Sequence, residues 1–465
     1  MTRQIYILDT TLRDGQQSPG AGMSYKDNLH YANLAHNLKI DILEAGFPSA
    51  SKTDFKIVNQ IAKNMAAIKS EMKISGLCQL REDQVHKTME ALVPALAINR
   101  GRIHIYVPVD PELMPVSLGT LADNKPLIIE TVHKLIKIMT DTGFEVEFSP
   151  EGYSRMRDNF DFTTDTIRAA VEAGATVINC PDTIGGASRY EGENYFVDKI
   201  KQHAAIVKKE FPSRDIIWSA HCHNDFGTAL DNTLTAVFEG VVQQFEGCIN
   251  GVGERAGNVS LEQCIMNIRQ FGNSPHLEHK VYTNADISHL KEISDFIAEK
   301  MLPRQPHSPI TGKNATSHTS GGHINAILKN PLAYQPFDPK HIGSEISFVF
   351  GPLSGSNHAQ QIITSIGYIC EDSEKVAITQ AIKDYYHDRR KGITDEELIA
   401  AYKDFRAPIR LDNLTYSRDT TDTTTLTLYG KFFDLSEISV NYKGRGSALN
   451  AINNAIATHF PGIAV

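Results

Sequence analysis

The sequence has no excess of positive charge, no CxxC pair and no apolar run of membrane length, and each absence removes a class of function. Its formal net charge is −9 and its pI about 6.1, the reverse of the basic excess that nucleic-acid binders carry. No block of like charge stands out, so the acidity reads as general solubility. No stretch approaches the ~18 apolar residues of a membrane-spanning helix. The six cysteines, Cys78, Cys180, Cys222, Cys248, Cys264 and Cys370, stand singly in apolar segments, which reads as reduced thiols of a cytoplasmic protein rather than a disulfide framework. The start, MTRQIYILDTTLRDG, enters a strand almost at once and has no signal-peptide pattern. There is no long internal repeat and no low-complexity tract. No GxGxxG follows an early strand, which weakens the case for a dinucleotide-binding doubly wound sheet.

What is present is alternation. The 465 residues exceed one average domain and suit two or three units. With 41% hydrophobic and 22% charged residues, a sizeable core is easily built. Short segments rich in β-branched or aromatic residues lie at 4–9, 42–47, 73–78, 102–109, 145–150, 176–181, 216–221 and 243–250. Segments of helical periodicity, such as 25–38, 127–142 and 164–173, fall between them. This order predicts parallel strands joined by crossover helices. About eight repeats predict a closed (β/α)8 TIM barrel over 1–272, with the doubly wound sheet as the alternative. Prolines and glycines then mark a connection, and 273–405 reads as a linker and helical subdomain, with helices at 286–300, towards 329, and a charged pair within 372–401. Residues 406–465 read as a short α+β module: strands at 413–417, 423–429 and 438–442, a turn at 444–446 and a helix at 447–459.

In such a barrel the chemistry sits at the carboxy-terminal ends of the strands, and the polar residues segregate there. Asp9, Arg13 and Asp14 follow the first strand, Glu44 ends the second, Glu151 follows the fifth, and Asp182 and Thr183 the sixth. His221 and His223 end the seventh; Glu254 and Asn258 follow the eighth. Two residues apart on a strand, His221 and His223 share a face. Two imidazoles with the Asp14 carboxylate suit Zn, Mn, Co or Fe, and Asn258 can add an amide oxygen. The alternative is a pair of strand histidines capped by Asn224 and Asp225.

These same residues carry a resemblance. DTTLRDGQQSPG at 9–20, HCHND at 221–225 and GVGERAGN at 251–258 resemble the 2-isopropylmalate, homocitrate and citramalate synthases. That group shares its barrel with 3-hydroxy-3-methylglutaryl-CoA lyase and the carboxyltransferase of pyruvate carboxylase. GKNATSHTSGGHINAILKNPLAY at 312–334 is similar to the second subdomain of the synthases, which the lyase lacks. EAGFPSASKTDF at 44–55 resembles the isopropylmalate members.

The resemblance implies an acyltransferase that condenses acetyl-CoA, its co-substrate, with 3-methyl-2-oxobutanoate to give 2-isopropylmalate, the first committed step of leucine biosynthesis. A relative acting on pyruvate, 2-oxoglutarate or another 2-oxo acid is the alternative, and a metabolite-binding paralogue without turnover is a further one. It implies a divalent metal (Zn, Mn, Mg or Co) on Asp14, His221, His223 and Asn258. Arg13 is then a catalytic and substrate-binding residue, set against a plain salt bridge with Glu44. Glu151 is the base, with Glu147 its rival inside the strand. Gln17 and Thr183 seat the substrate carboxylate, or serve as turn and cap. Glu44 and Phe47 lie near the side chain of the 2-oxo acid, where Phe47 is a pocket wall or simple packing. His323 and Tyr334 serve the new hydroxyl or the hydrolytic water, against a loop cap and a packing ring. The partners implied are small molecules and a second copy in a homodimer.

Three departures from the family pattern carry expectations. GPLSGS at 351–356 stands where the synthases carry basic residues or histidine, which predicts weaker CoA or acid binding. Asp110-Pro111-Glu112 stands where many relatives have a histidine. The module at 406–465 holds about one of the two βββα-type units of a leucine-sensing domain, which predicts weak or absent leucine inhibition.

Overall fold

The computed structural model describes residues 2–389, 391–407, 409–421, 423–432 and 437–459. The chain forms two compact units, one of Met1–Ala315 with Pro339–Glu345, the other of Thr316–Asp338 with Ile346–Val465.

The first unit is a closed parallel barrel. Its strands are β1 (Tyr6–Asp9), β2 (Ile42–Glu44), β3 (Lys73–Gln79), β4 (Gly101–Pro108), β5 (Glu145–Glu151), β6 (Val177–Asp182), β7 (Ile217–Cys222) and β8 (Gln244–Gly247). Leu8 of β1 pairs with Ile42 of β2, and Tyr6 with Gln244 of β8, which closes the ring. The crossover helices are α1 (Tyr25–Asn37), α2 (Lys52–Ala67), α3 (Glu82–Leu96), α4 (Lys125–Asp141), α5 (Phe160–Glu172), α6 (Phe196–Glu210), α7 (Ala229–Phe238) and α8 (Leu261–Phe271). Serine side chains start two of them: Ser24 accepts from the Asp27 amide, and Ser51 from the amides of Thr53 and Asp54, filling donors that a helix start leaves open.

Two of the strands stop earlier than the alternation suggests. β2 ends at Glu44 because Gly46 adopts φ +145°. β8 ends at Gly247, and Asn250 follows at φ 59° in a left-handed turn. Positive φ breaks the extended ladder.

Residues facing the barrel interior recur with period two, and many are polar. Arg102 is fully buried, donating from Nε to Glu145 and from Nη1 to Glu147 (3.0 Å) and Gln244 (2.7 Å). Gln244 donates on to Glu147 and Ser219, and Ser219 to Glu246. A buried charge is tolerable only when paired and hydrogen-bonded, and Arg102 with Glu147 meets that condition beneath the mouth. Glu147 therefore belongs to the barrel interior.

A further helix, α9 (Leu290–Lys300), belongs to the barrel unit. The second unit contains α10 (Gly321–Lys329), α11 (Ser356–Ser365), α12 (Lys375–Tyr385) and α13 (Asp395–Arg406). Phe350, Ile363, Ile378, Ile382 and Leu398 form a core there. The antiparallel strands β9 (Ile409–Arg418), β10 (Thr423–Phe432) and β11 (Glu437–Arg445) follow in that order. Helix α14 (Ala448–His459) covers them, with Ala455 and Ile452 against Leu426 and Leu414. Gly444 lies in β11, paired with Thr424, rather than in a turn. Among the described residues no helix is long and apolar enough to cross a membrane. All six cysteines are free and buried.

Candidate active site

After β1 the chain does not run straight into a helix. Asp9 accepts from Thr11 and from the Tyr31 hydroxyl (2.6 Å), and Thr11 accepts from the Ile249 amide. This pinned turn carries Arg13 and Asp14 across the barrel mouth. There the Asp14 Oδ2 lies 3.7 Å from the Nε2 of His221 and 3.9 Å from that of His223. The two Nε2 atoms are 3.4 Å apart.

Burial, foremost, pushes both imidazoles down to about 4. They are neutral at pH 7, with lone pairs available for a cation. Asp14 is held down at about 2: burial, the largest influence, opposes ionisation, but the Arg13 guanidinium, the two imidazoles and the Asn258 amide together outweigh it. His221 Nδ1, His223 Nδ1 and Asn258 Oδ1 are buried without a hydrogen-bond partner. His221 Nδ1 faces the equally unpartnered Oε2 of Glu246 at 3.4 Å, the outer-shell carboxylate arrangement of metal-binding histidines. The donor set thus fits a divalent cation, and three ligand atoms within 4.8 Å of one another leave positions open. Asn258 donates its amide to Asp14 at 2.8 Å. That approach requires glycine at 253, where a Cβ would come within 2.3 Å of the Asn258 nitrogen.

Arg13 donates to Asp14 (2.7 Å) and to Glu44 (2.5 Å). Arg13 makes the salt bridge with Glu44 and also lines the cavity. Glu44 is fully buried and accepts from His104 as well; it orients these two cations without lining the cavity. The cavity holds about 250 Å³ and is lined by Arg13, Asp14, Gln17, Glu151, Thr183, His221, His223 and Glu254, with Leu77, Tyr106 and Pro181 as apolar wall. Thr183 Oγ1 also accepts from the Gly152 amide, so it both caps and lines. Glu151 ends β5, where burial, foremost, raises its pKa, Arg13 opposes the rise, and Asp110 adds a smaller push in the same direction as burial. Phe47 does not join the group. It is half-buried, because the turn through Gly46 takes it out of the strand's alternation.

The HMGL-like family profile matches residues 4–297, and a homocitrate synthase post-HMGL domain-like profile matches 310–391. A protein of Neisseria meningitidis serogroup B named 2-isopropylmalate synthase is 34% identical over 87% of this chain and 74% of its own length. One from Saccharolobus solfataricus with the same name is 33% identical over 82% and 91%. This chain belongs to the 2-isopropylmalate synthase family. In fold, the HMG-CoA lyase of Bacillus subtilis is similar to it with a TM-score of 0.52 at 17% identity, covering 66% of this chain and 98% of the lyase.

The motif of the synthase family at 312–334 divides between the units. His323 and Tyr334 belong to the second, where their rings stack at 3.9 Å and 14°. Both are exposed, so neither is a core-packing residue. Gln335 bonds His318 at 2.9 Å beside them. At 351–356, Ser354 accepts from the Gly351 amide and donates to the Thr319 carbonyl.

One member of the site escaped the sequence reading. His104 sits within β4, bonding Glu44 Oε1 and Ser149 Oγ, each at 2.7 Å. It lies inside a strand rather than at its end, and the period-two series Arg102, His104, Tyr106 is the sequence signal that marks it. Burial disfavours its charge, but Glu44 prevails and lifts the pKa to about 9. The folded protein therefore holds a proton here that the unfolded chain, at 6.5, releases first. That contribution is complete below pH 6.5 and fades as pH rises through 9. In chelator-treated protein, His104→Gln should flatten the fall in unfolding free energy across this window by roughly 3 kcal/mol. Urea unfolding at the two pH values measures it; equal slopes in both proteins would contradict a charged His104.

Proposed function

We propose that this chain condenses acetyl-CoA with 3-methyl-2-oxobutanoate to give 2-isopropylmalate and CoA, the first committed step of leucine biosynthesis. The observation that carries the reading is the Asp14–His221–His223 triangle with Arg13 and Glu151 on the wall of one cavity, in a chain 34% identical to proteins named for that activity. Asp14, His221 and His223, with Asn258 alongside, would hold Zn, Mn, Mg or Co, which when bound polarises the ketone of a 2-oxo acid.

The remaining steps fall to side chains. Arg13 spends Nε and Nη1 on Glu44 and Asp14, which leaves guanidinium donors for the developing alkoxide. Thr183, already accepting from Gly152, has its hydroxyl proton free for the substrate carboxylate, with Gln17 beside it. Glu151, with basicity raised by burial, takes a proton from the acetyl methyl group. His323, steadied by the Tyr334 ring, serves as acid or base for the new hydroxyl or for water attacking the thioester, and Tyr334 orients that water. Thioester hydrolysis releases CoA and makes the condensation effectively irreversible. Family membership supports a cytoplasmic homodimer.

The choice of 2-oxo acid rests on the cavity wall. Leu77, Pro181 and the Tyr106 ring suit a branched aliphatic tail. CoA release, followed with a thiol reagent in the metal-supplemented protein, tests this against 3-methyl-2-oxobutanoate, pyruvate, 2-oxoglutarate and oxaloacetate. The first should be turned over best, by about tenfold or more in kcat/KM over pyruvate, which lacks two methyl groups. Preference for 2-oxoglutarate would keep the mechanism and reassign the substrate.

A further inference from the structure

We propose that Asp110, paired with Arg155, is a positioning residue that seats the Glu151 loop and sets how tightly Glu151 holds its proton; the inference rests on Glu151 being the base. Asp110 follows the end of β4 and is fully buried. Its Oδ1 accepts from the Glu112 amide (2.8 Å), and its Oδ2 from Arg155 Nε (2.5 Å). One residue earlier, the Val109 amide donates to the backbone oxygen of Glu151 itself (2.9 Å). Gly152, at φ +75°, lies against the acid so closely that a Cβ there would come within 2.4 Å of the Asp110 Cβ and 3.2 Å of its Oδ2. A buried carboxylate is thus packed directly against the residue that follows the base.

The rest of the loop is held at every position. The Gly152 amide bonds Thr183, the Tyr153 hydroxyl bonds His203 (2.6 Å), Ser154 donates to Asp182 (2.6 Å), and Arg155 bridges Asp110 and Glu112. The loop has little freedom to relax away from the Asp110 charge. The ionisable groups around Glu151 are Arg13 from the turn after β1, Tyr106 from β4, Asp110 beyond β4, and Arg155 on its own loop. Glu112 and Arg157 pair farther out. Arg13 favours the carboxylate; burial and Asp110 favour the protonated form. Arg155 partly neutralises Asp110, so the pair acts as an adjustable charge beside the base.

The two members can be removed separately, with opposite signs. Asp110→Asn keeps shape and cap but removes the negative charge and frees Arg155. Arg155→Gln leaves Asp110 charged and unneutralised. In the full-length, metal-loaded enzyme, the acidic limb of the kcat–pH profile for CoA release should move down in Asp110→Asn and up in Arg155→Gln. Each shift should be about one pH unit, the scale of a unit charge several ångströms away in a medium of intermediate dielectric. The KM for the 2-oxo acid should change little in either. A purely structural role would lower activity in both variants with the limb in place, and that result would overturn the proposal. Glu151→Gln run alongside separates the underlying assumption: if it retains activity, the base is elsewhere, and the proposal fails with that reading rather than by itself.

Discussion

Glu151→Gln is expected to lower kcat for CoA release by about 10²–10⁴-fold, the usual contribution of a positioned general base. The KM for the 2-oxo acid should stay close to that of the wild type. The carboxamide is nearly isosteric, so the β5 end, the Gly152 amide bond to Thr183 and the cavity wall remain in place. What is lost is the ability to accept a proton in a setting where burial has raised basicity. Exchange of the acetyl-CoA methyl protons with deuterated water, read by NMR, isolates the step. Wild-type protein should wash in deuterium when a non-reacting 2-oxo acid analogue fills the site, and the variant should not. Retained exchange would move the base to another residue.

His221→Ala is expected to cost at least about 100-fold in divalent-metal affinity, since even outer-shell partners of metal ligands are worth 10–100-fold. CoA release should fall with it at limiting metal. Three ligand atoms surround the position, and removing one leaves a single imidazole with a carboxylate already engaged by Arg13 and Asn258. Competition against a metallochromic indicator measures affinity without reference to turnover. An unchanged metal stoichiometry and affinity would return His221 and His223 to the role of ordinary strand histidines.

These two residues also mark how far the sequence could be read. His221 and His223 were legible because a two-residue spacing at the end of an apolar segment has one geometric meaning on a strand. Asp14 was legible because the barrel pattern says where strand ends converge. Glu44 was legible as polar at a strand end, yet its position beneath the cavity, fixing Arg13 and His104, follows from the neighbouring strands. Phe47 could be read as pocket wall or as packing; a positive φ at Gly46 turns the chain before it, and it is not among the residues that line the cavity. His104 and Glu246 were missed because an interior polar residue in a strand looks costly until its partners on other strands are known.

The order of elements was determined by sequence alone. Alternating β-branched segments and helical periodicities leave few arrangements besides parallel strands with crossover helices, and polar residues at strand ends place the chemistry at one mouth. The charge states were decided only by tertiary structure. Whether His104 is a cation, the His221 imidazole is neutral and the Glu151 carboxyl is a weaker acid depends on burial and on charged groups brought from strands far apart in the chain. Those distances are set when the barrel closes. Electrostatic energy varies with separation and local dielectric, and neither is encoded in any local stretch of residues.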